Sequence, residues 1–291
     1  MLATFLDVFI VGLILGGIYA LIAMGLSLQY GVARVLNIAH GEFIMLGAMI
    51  TWTLFTLFHI NPLLSVVISG PVIFGVGYLL HWALFRLLRI SSASIGIFES
   101  NSILAAFGIM FMLQNIAKQA WGSQIRSYTY LNFPVEFGGT TFGANRLLCL
   151  GIAVGIGIVF YVFLARTRIG KAIRAAAQDA VTARLMGINI NVVLALCFGL
   201  GALLAGIAGI LVSMIGPASG GMGLNYAVIA IIVVVLGGLG SIPGSFIGGF
   251  VLGIVGSIVT QFEPLLALAA YYGIFMLLLI VKPTGIMGKQ Q

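Results

Sequence analysis

The sequence has 291 residues, of which 62% are hydrophobic and 7% charged, and its mean hydropathy is +1.23. This composition excludes a soluble domain, a disordered chain and a nucleic-acid-binding protein, because all three carry far more charged and polar residues. The apolar residues suffice for about nine membrane-spanning helices of about 20 residues each. The 40 glycines favour a tight bundle, since glycine lets membrane helices approach closely.

Nine apolar segments are predicted to cross the membrane. In chain order they occupy residues 6–28, 38–58, 63–85, 102–121, 146–165, 191–215, 226–239, 243–262 and 265–281. The apolar run over residues 226–262 is divided into two spans because it is too long for one crossing and is interrupted by Gly237, Gly238, Gly240 and Pro243. The predicted fold class is therefore all-α, a polytopic membrane helical bundle that forms a single transmembrane domain over residues 1–291.

The basic residues indicate the orientation of the chain. With the C-terminus in the cytoplasm, ten of the 13 Lys and Arg residues lie inside. These ten are Arg34, Arg86, Arg89, Arg166, Arg168, Lys171, Arg174, Arg184, Lys282 and Lys289. Lys118, Arg126 and Arg146 then lie outside. The positive-inside rule predicts an external N-terminus and a cytoplasmic C-terminus, so that the net charge of +7 is an orientation signal.

The longest predicted outer loop covers residues 122–145 and is rich in aromatic side chains. It contains Tyr128, Tyr130, Phe133 and Phe142. Two interpretations stay open, because aromatic residues form belts at membrane interfaces and also provide contacts for an extracytoplasmic partner.

The longest predicted inner loop, residues 166–190, reads RTRIGKAIRAAAQDAVTARLMGINI. Its alanines favour a helix over residues 170–186, with Gly187 at the C-terminal cap and Asn189 or Asn191 capping the next span. The charged residues of this helix are Lys171, Arg174, Asp179 and Arg184. Small residues between charged anchors allow close approach to another protein, and a solvated loop helix is the alternative.

Part of this loop, TRIGKAIRAAAQDAVTARLMGIN, resembles the cytoplasmic coupling loop of LivH-type permeases, which belong to bacterial ABC importers of branched-chain amino acids. Other segments match that family in the same order: GGIYALIAMGLSLQYGVARVLNIAHGEFIMLGA at 16–48, AAFGIMFMLQN at 105–115, VVLGGLGSIPGSFIGGFVLG at 234–253 and KPTGIMG at 282–288. Asp179 matches the family's acidic residue, whereas its older glutamate-alanine-alanine form is present only as Ala175, Ala176 and Ala177. Residues 85–88 replace a proline-containing basic stretch.

The resemblance implies partners and a coupling site. The partners are a related second permease chain, two cytoplasmic ATPase subunits and a periplasmic substrate-binding protein, in the bacterial inner membrane. The coupling residues would be Arg168, Gly170, Lys171, Arg174, Ala176, Ala177, Asp179, Ala183 and Gly187. The chain lacks the P-loop pattern G-x-x-x-x-G-K-[ST], so ATP would be bound by the partner ATPase and no cofactor by this chain.

Polar residues near the start of the second span are candidates for the translocation path or gate, because polar groups are expensive inside a membrane. They are Asn37, His40 and Glu42. We expect Asn37 to cap this span at its cytoplasmic end, with Glu42 about 6–8 Å deep. A polar hinge near the inner gate is one interpretation, and a helix-start carboxylate with a hydrogen-bonded histidine is the other.

Two amides in the fourth span, Gln114 and Asn115, complete the candidate path. They lie about two turns from its outer end, where they could line a path or form interhelical hydrogen bonds. Ser100 and Asn101 are predicted to cap this span. Small residues four apart predict close helix packing, with a moving interface as the alternative. They are Gly12 and Gly16, Gly240, Gly244 and Gly248, and Gly249 and Gly253.

Together these features favour the permease subunit of an importer for branched-chain or related small hydrophobic amino acids. Importers of urea or short amides resemble this class and stay open as alternatives. No catalytic constellation is visible, and Cys149 and Cys197 have no metal-ligand spacing with the histidines, so neither an enzyme nor a metal site is predicted. A stand-alone secondary transporter or channel is the alternative from another class, but ion-coupled carriers usually need ionisable residues near mid-membrane, and Glu42 is expected to be too shallow. A structural membrane subunit is the third interpretation.

Overall fold

The computed structural model describes residues 2–137, 140–282 and 284–288, so that Lys289 lies outside the described residues. These residues form α-helices joined by short connections and one antiparallel hairpin. The helices are α1 (Leu2–Ala33), α2 (His40–Phe58), α3 (Val66–Leu80), α4 (Arg86–Ser91), α5 (Ile95–Trp121), α6 (Ala144–Arg166), α7 (Arg168–Gln178), α8 (Ala180–Leu185), α9 (Ile190–Ile215), α10 (Gly223–Gly237), α11 (Ile242–Phe262) and α12 (Ala267–Val281). The hairpin strands are β1 (Pro134–Phe137) and β2 (Thr140–Gly143).

The bundle has two ends, which we name after the elements that they carry. The hairpin end carries β1 and β2, and the α7 end carries α7 and α8. Helix α1 connects the two ends. Near its start Ile10 and Ile14 pack with Phe142 of β2, and near its end Gly31 lies against Gly240, beside Arg174 of α7.

Eight helices in the described part of the chain are long and apolar enough to cross a membrane, which confirms a multi-span helical bundle. A π-helical turn, His81–Phe85, joins α3 and α4 into one of these eight helices. The predicted span 226–239 corresponds to α10, which has only 15 residues. Its length is about 22 Å, shorter than a hydrocarbon core of about 30 Å. The predicted break before Pro243 is confirmed, since α10 ends at Gly237 and α11 begins at Ile242.

Glycines bring α1 and α11 into backbone contact. A Cβ atom added to Gly253 would collide with the backbone of Gly16, and one added to Gly249 would collide with the backbone of Ala20. Further along the same interface, Gly12 of α1 lies against the backbone of Ile254 of α11. Only hydrogen side chains leave room for this approach. The predicted packing role of these glycines is therefore confirmed.

Helix α2 begins deep inside the bundle and not at the α7 end. The chain reverses after α1 at Arg34, which has a left-handed φ of 57°, and residues 35–39 return alongside α1. The His40 Nε2 atom then lies 3.1 Å from the carbonyl oxygen of Ile22. Because Ile22 precedes Ala33, the last residue of α1, by eleven positions, α2 starts about 16 Å in from that end. The predicted shallow position of Glu42 is therefore wrong.

Helix α10 also begins inside the bundle. Its first residue, Gly223, lies against the Glu42 side chain, and residues 216–222 bring the chain there from the hairpin end. The helix ends at the α7 end, where the amides of Ile286 and Met287 donate hydrogen bonds to the carbonyl oxygens of Leu236 and Gly237. The C-terminal segment thus satisfies carbonyl groups that every helix end leaves unpaired.

Several predicted helix boundaries are wrong. The single inner-loop helix expected over residues 170–186 is divided into α7 and α8 by Asp179, whose backbone is extended. Ser94, and not Ser100 or Asn101, caps α5, because that helix begins two turns earlier than predicted. By contrast, Asn189, one of the two predicted caps, does cap α9 and accepts a hydrogen bond from the amide of Val192.

Most aromatic residues of the outer loop are bound to the bundle. The Tyr128 hydroxyl lies 2.9 Å from Ser213 Oγ, Tyr130 donates a hydrogen bond to Asn61, and Phe142 is buried. Burial raises the pKa of Tyr128 to about 12, so its hydroxyl stays neutral. Phe133 is exposed. Packing thus explains three of the four residues, and neither an aromatic belt nor a partner is needed for them.

Candidate functional site

A cluster of polar side chains lies inside the bundle where α2, α5 and α10 meet. Glu42 is fully buried, and Gln114 Nε2 of α5 donates a hydrogen bond of 2.9 Å to Glu42 Oε1. Among the described residues, no group donates a hydrogen bond to Glu42 Oε2. A buried carboxylate oxygen without a donor is unusual, because leaving such a group unpaired costs free energy. We call Glu42 and Gln114, with their neighbours Asn37 and His40, the polar cluster.

Two helix starts surround the Glu42 carboxylate. Glu42 lies in the first turn of α2, and a Cβ atom added to Gly223 would lie 2.5 Å from Glu42 Cδ. The amino-terminal end of a helix carries a partial positive charge, which favours a nearby carboxylate. The convergence of α2 and α10 therefore stabilises negative charge at a depth where lipid would not. Discontinuous helices with this arrangement are typical of ligand and ion sites in transporters.

The other members of the polar cluster attach the segment before α2 to its neighbours. The ring of His40 donates from Nε2 to the carbonyl oxygen of Ile22. Asn37 Nδ2 donates to Gln29 Oε1 over 3.3 Å, and Gln29 Nε2 donates to the carbonyl oxygen of Phe198 over 3.3 Å. Buried amides paired in this way hold the segment against α1 and α9.

The structure brings together only some of the residues that the sequence singled out. Glu42 and Gln114 are in direct contact, whereas Asn115 is exposed and donates to the carbonyl oxygen of Phe111 in its own helix. The expected helix-start carboxylate and hydrogen-bonded histidine are confirmed, since Glu42 lies in the first turn of α2 and His40 pairs with the carbonyl oxygen of Ile22. The expected cap by Asn37 is wrong, because α2 has no side-chain cap. Sequence reasoning missed Gln29, which lies one residue beyond the predicted first span. The signal that could have revealed Gln29 was an amide side chain directly after a long apolar segment.

At the α7 end, α7 folds back against α6. Thr167 accepts a hydrogen bond from the amide of Gly170, and a Cβ atom at Gly170 would collide with the backbone of Leu164. Arg174 donates to the carbonyl oxygen of Ala165 over 3.1 Å, and Ile173 is buried. The orientation of α7 is therefore fixed by the Thr167 cap, the close contact of Gly170 and the hydrogen bond from Arg174.

Asp179 caps α8. Its Oδ1 atom accepts from the amides of Val181 and Thr182, and the Thr182 hydroxyl donates to Oδ2. These hydrogen bonds hold the pKa of Asp179 below its usual value, and the bond from the Thr182 side chain has the largest effect. The carboxylate is thus a helix cap as well as a surface charge.

The coupling residues predicted from the resemblance divide into two groups. Gly170, Ala176 and Ala183 are buried against the bundle and do not form an alanine-rich outer surface as expected. The remaining residues are exposed: Arg168, Lys171, Arg174, Ala177, Asp179 and Gly187. Gly187 follows the end of α8 with a φ of 83°.

Sequence reasoning missed an apolar surface on α8 and the residue that follows it. Val181, Leu185 and Met186 are 72%, 83% and 79% exposed. Their position in a loop rich in basic residues was the available signal, because exposed apolar groups among charged ones indicate a contact site. We call these three residues the α8 tip.

Apolar helices of membrane-spanning length around buried polar groups define a multi-pass membrane protein. Residues 8–282 match the family described as "Branched-chain amino acid transport system / permease component". The chain is 31% identical to the permease protein BraD of a high-affinity branched-chain amino acid transport system from Pseudomonas aeruginosa, over 96% of this chain and 94% of BraD. It is 30% identical to the LivH permease protein of Escherichia coli K12, with the same coverage, and 29% identical to a probable LivH of Methanocaldococcus jannaschii, over 95% of this chain and 90% of that protein.

The chain therefore belongs to this family of transmembrane permease components of ABC transporters for branched-chain amino acids. The resemblance recognised in the sequence is confirmed.

Proposed function

We propose that this chain is the permease subunit of an ABC importer and forms the path along which branched-chain amino acids enter the cell. The observation that carries the proposal is the similarity to branched-chain amino acid permease proteins over 96% of the chain. The family match over residues 8–282 includes both the polar cluster and helices α7 and α8. The substrate named for those relatives is the substrate proposed here. The chain itself performs no catalysis in this scheme.

The proposed topology has nine crossings, with the N-terminus outside and the C-terminus in the cytoplasm of a bacterial inner membrane. The α7 end is then cytoplasmic and the hairpin end periplasmic. Helix α10 completes the ninth crossing together with the non-helical residues 216–222, which explains how 15 helical residues suffice. All crossings belong to one domain. The uneven distribution of Lys and Arg supports this orientation.

The proposed coupling site is the outer surface of α7 and the α8 tip. Val181, Leu185 and Met186 provide an apolar anchor, and Lys171 and Arg174 provide flanking charge. An apolar centre with a charged rim is the usual arrangement of a protein interface. Two cytoplasmic ATPase subunits would dock here and on a related second permease chain, and they would bind the ATP. A periplasmic binding protein would deliver the substrate at the hairpin end.

The proposed gate is the polar cluster. Glu42 closes the space between α2, α5 and α10 while it is held by Gln114, and a shift of either helix start would open it. Uncharged amides beside one carboxylate can pass a zwitterion without a large desolvation penalty. Glu42 lies deep enough for an ion-coupled carrier as well, so the energy source has to be measured.

The test is reconstitution of the chain with its permease partner, ATPase and binding protein in proteoliposomes. We expect uptake of labelled leucine that requires both ATP and binding protein and that persists when the proton gradient is collapsed. Uptake by the isolated chain, driven by a gradient alone, would instead establish a secondary transporter. Competition by unlabelled urea or acetamide, with none by isoleucine, would assign the substrate to the amide class.

A further inference from the structure

A cavity of about 400 Å³ lies at the hairpin end, between the first half of α1 and the junction of α9 with α10. Its walls are apolar, because α1 and α9 present branched side chains to it. These are Val11, Ile14, Leu15, Ile18, Val212 and Ile215. Binding sites for small molecules typically have volumes of about 300–1,000 Å³ and apolar walls with a few polar groups. The cavity has both properties.

One charged group faces this apolar space. Arg146, an exposed residue in the first turn of α6, lines the cavity, and its guanidinium forms no salt bridge or side-chain hydrogen bond with the described residues. An arginine binds carboxylate and phosphate groups through paired N–H donors. The cavity therefore combines an anion-binding group with hydrocarbon walls, a combination that suits an amphiphilic anion. Urea and short amides have neither an anionic group nor a branched hydrocarbon side chain.

The cavity extends towards the polar cluster. Tyr19 and Tyr226 line it, and each lies three residues, about one helical turn, from a contact of that cluster. Tyr19 precedes Ile22, whose carbonyl oxygen pairs with His40, and Tyr226 follows Gly223, which lies against Glu42. A ligand in the cavity would therefore be separated from the gate by about one turn of α1 and α10.

We propose that this cavity binds the substrate before the gate, with the amino acid carboxylate on Arg146 and the branched side chain between α1 and α9. The proposal rests on the proposed function and adds a recognition site within the membrane subunit. The cavity selects small apolar amino acids, because a polar side chain would lose its hydration against these walls. The same chemistry would suit a lipid with an anionic head group, and the experiment separates the two sources.

The experiment measures protection of a cysteine in the cavity. Cys149 and Cys197 are buried free thiols, so an introduced Leu15→Cys in the full complex can be labelled selectively with a membrane-impermeant maleimide. Val11→Cys serves as a second reporter should Leu15→Cys fail to fold. The complex is embedded in nanodiscs of phosphatidylcholine, which contain no anionic lipid. We expect leucine to slow the labelling and leucinamide, which lacks the carboxylate, not to do so.

Arg146→Gln should raise the leucine concentration for half-protection about tenfold or more, because a hydrogen bond to a charged group is lost. Arg146→Lys should retain part of the protection, and labelling of Ser127→Cys in the outer loop should not respond to leucine. Equal protection in wild type and Arg146→Gln would overturn the proposal, as would protection by added phosphatidylglycerol without any effect of leucine. Normal ATP-driven leucine uptake without protection would overturn this site alone, whereas absence of leucine uptake would overturn the proposed function.

Discussion

Glu42 is the residue on which the interior of this protein depends most. It is an acidic side chain fully buried among apolar helices, and its stabilisation comes from one amide donor and two helix starts. Each helix start contributes about 0.3–1 kcal/mol to the stability of a nearby carboxylate, and up to about 2 kcal/mol where the geometry is partly buried. Such a group is poorly explained by stability alone, because an apolar residue of similar size would pack there without a desolvation penalty.

We expect Glu42→Gln to fold as well as the wild type but to transport more slowly. The amide keeps the shape and can still accept from Gln114, so packing is retained, while the negative charge at the two helix starts is lost. Folded yield from size-exclusion chromatography and ATP-driven leucine uptake would be measured on the same preparations. Uptake at the wild-type rate would reduce Glu42 to a structural role.

Adjacent amides of α5 provide a matched pair for the hydrogen bond. Gln114→Leu removes the donor to Glu42 Oε1 and leaves the buried carboxylate unpaired, which costs about 1–3 kcal/mol or more. Asn115→Leu removes an exposed amide that is bonded only within its own helix. Gln114→Leu should therefore lower the thermal midpoint of the purified protein, and Asn115→Leu should leave it nearly unchanged. Equal midpoints for the two variants would contradict the assigned hydrogen bond.

Among the elements, α1 and α11 form a contact that leaves no room for a side chain. Gly16 and Gly253 touch through their backbones, so the distance between the helices is set by the absence of side chains. Gly253→Ala should separate them and destabilise the bundle, since overpacking costs about 1–3 kcal/mol. Gly273→Ala on α12 is the control, because a Cβ atom there meets nothing within 4 Å and alanine favours a helix.

These glycine variants would be compared by thermal unfolding in detergent. A lower midpoint for Gly253→Ala and an unchanged or higher midpoint for Gly273→Ala is the expected result. If both variants keep the wild-type midpoint, α1 and α11 can move apart without loss, and the helices form a movable interface.

The pair α7 and α8 is held by local caps that do not respond to physiological pH. Asp179 accepts the amides at the start of α8, and its pKa is lowered by these hydrogen bonds. A lowered pKa in the folded state means that the stabilisation is complete above the unfolded pKa of about 3.9 and is lost only as the pH falls through the folded value. The α8 tip should therefore keep its position at neutral and mildly acidic pH.

We expect Leu185→Ser to weaken ATPase binding without affecting the fold. Leu185 is 83% exposed, so the folded chain gains little from it, but burying a leucine in an interface contributes about 1.5–3 kcal/mol, or about tenfold or more in affinity. The control is Leu265→Ser, an equally exposed leucine at the hairpin end. ATPase recovered with the purified permease should fall for the first variant only. Equal recovery would place the docking surface elsewhere.

For the molecule as a whole, the two ends differ in charge and in the surfaces and cavities that they carry. The α7 end carries most of the basic residues, the α8 tip and the C-terminal segment, whereas the hairpin end carries β1, β2 and the cavity beside Arg146. This difference agrees with the proposed transport, in which a binding protein delivers substrate at the hairpin end and an ATPase docks at the α7 end.

Single cysteines test this orientation in intact cells. An impermeant maleimide should label Ser127→Cys from outside and should label Leu185→Cys only after the membrane is permeabilised. Both positions are exposed, so access depends on the side of the membrane and not on burial. Labelling of Leu185→Cys in intact cells would reverse the proposed topology.

The sequence by itself determined the features that depend on local composition. Apolar length predicted the helical bundle, glycine spacing predicted close helix packing, and Asn189 was one of two candidate caps for α9. Which helices the glycines bring together was not predicted. Local propensity failed at Asp179, where alanines on both sides favoured one helix but the aspartate side chain bonds the backbone better as a cap.

Only the tertiary structure decided the depth of Glu42 and the grouping of the polar residues. Hydropathy assigns a residue to a span but not to a depth in the membrane. Residues 35–39 return into the bundle, where Gln29 of α1 accepts a hydrogen bond from Asn37 and the carbonyl oxygen of Ile22 accepts one from His40. The contact of Glu42 with Gln114 joins residues 72 positions apart. No local pattern encodes such a pairing, since it depends on how the helices cross after they have formed.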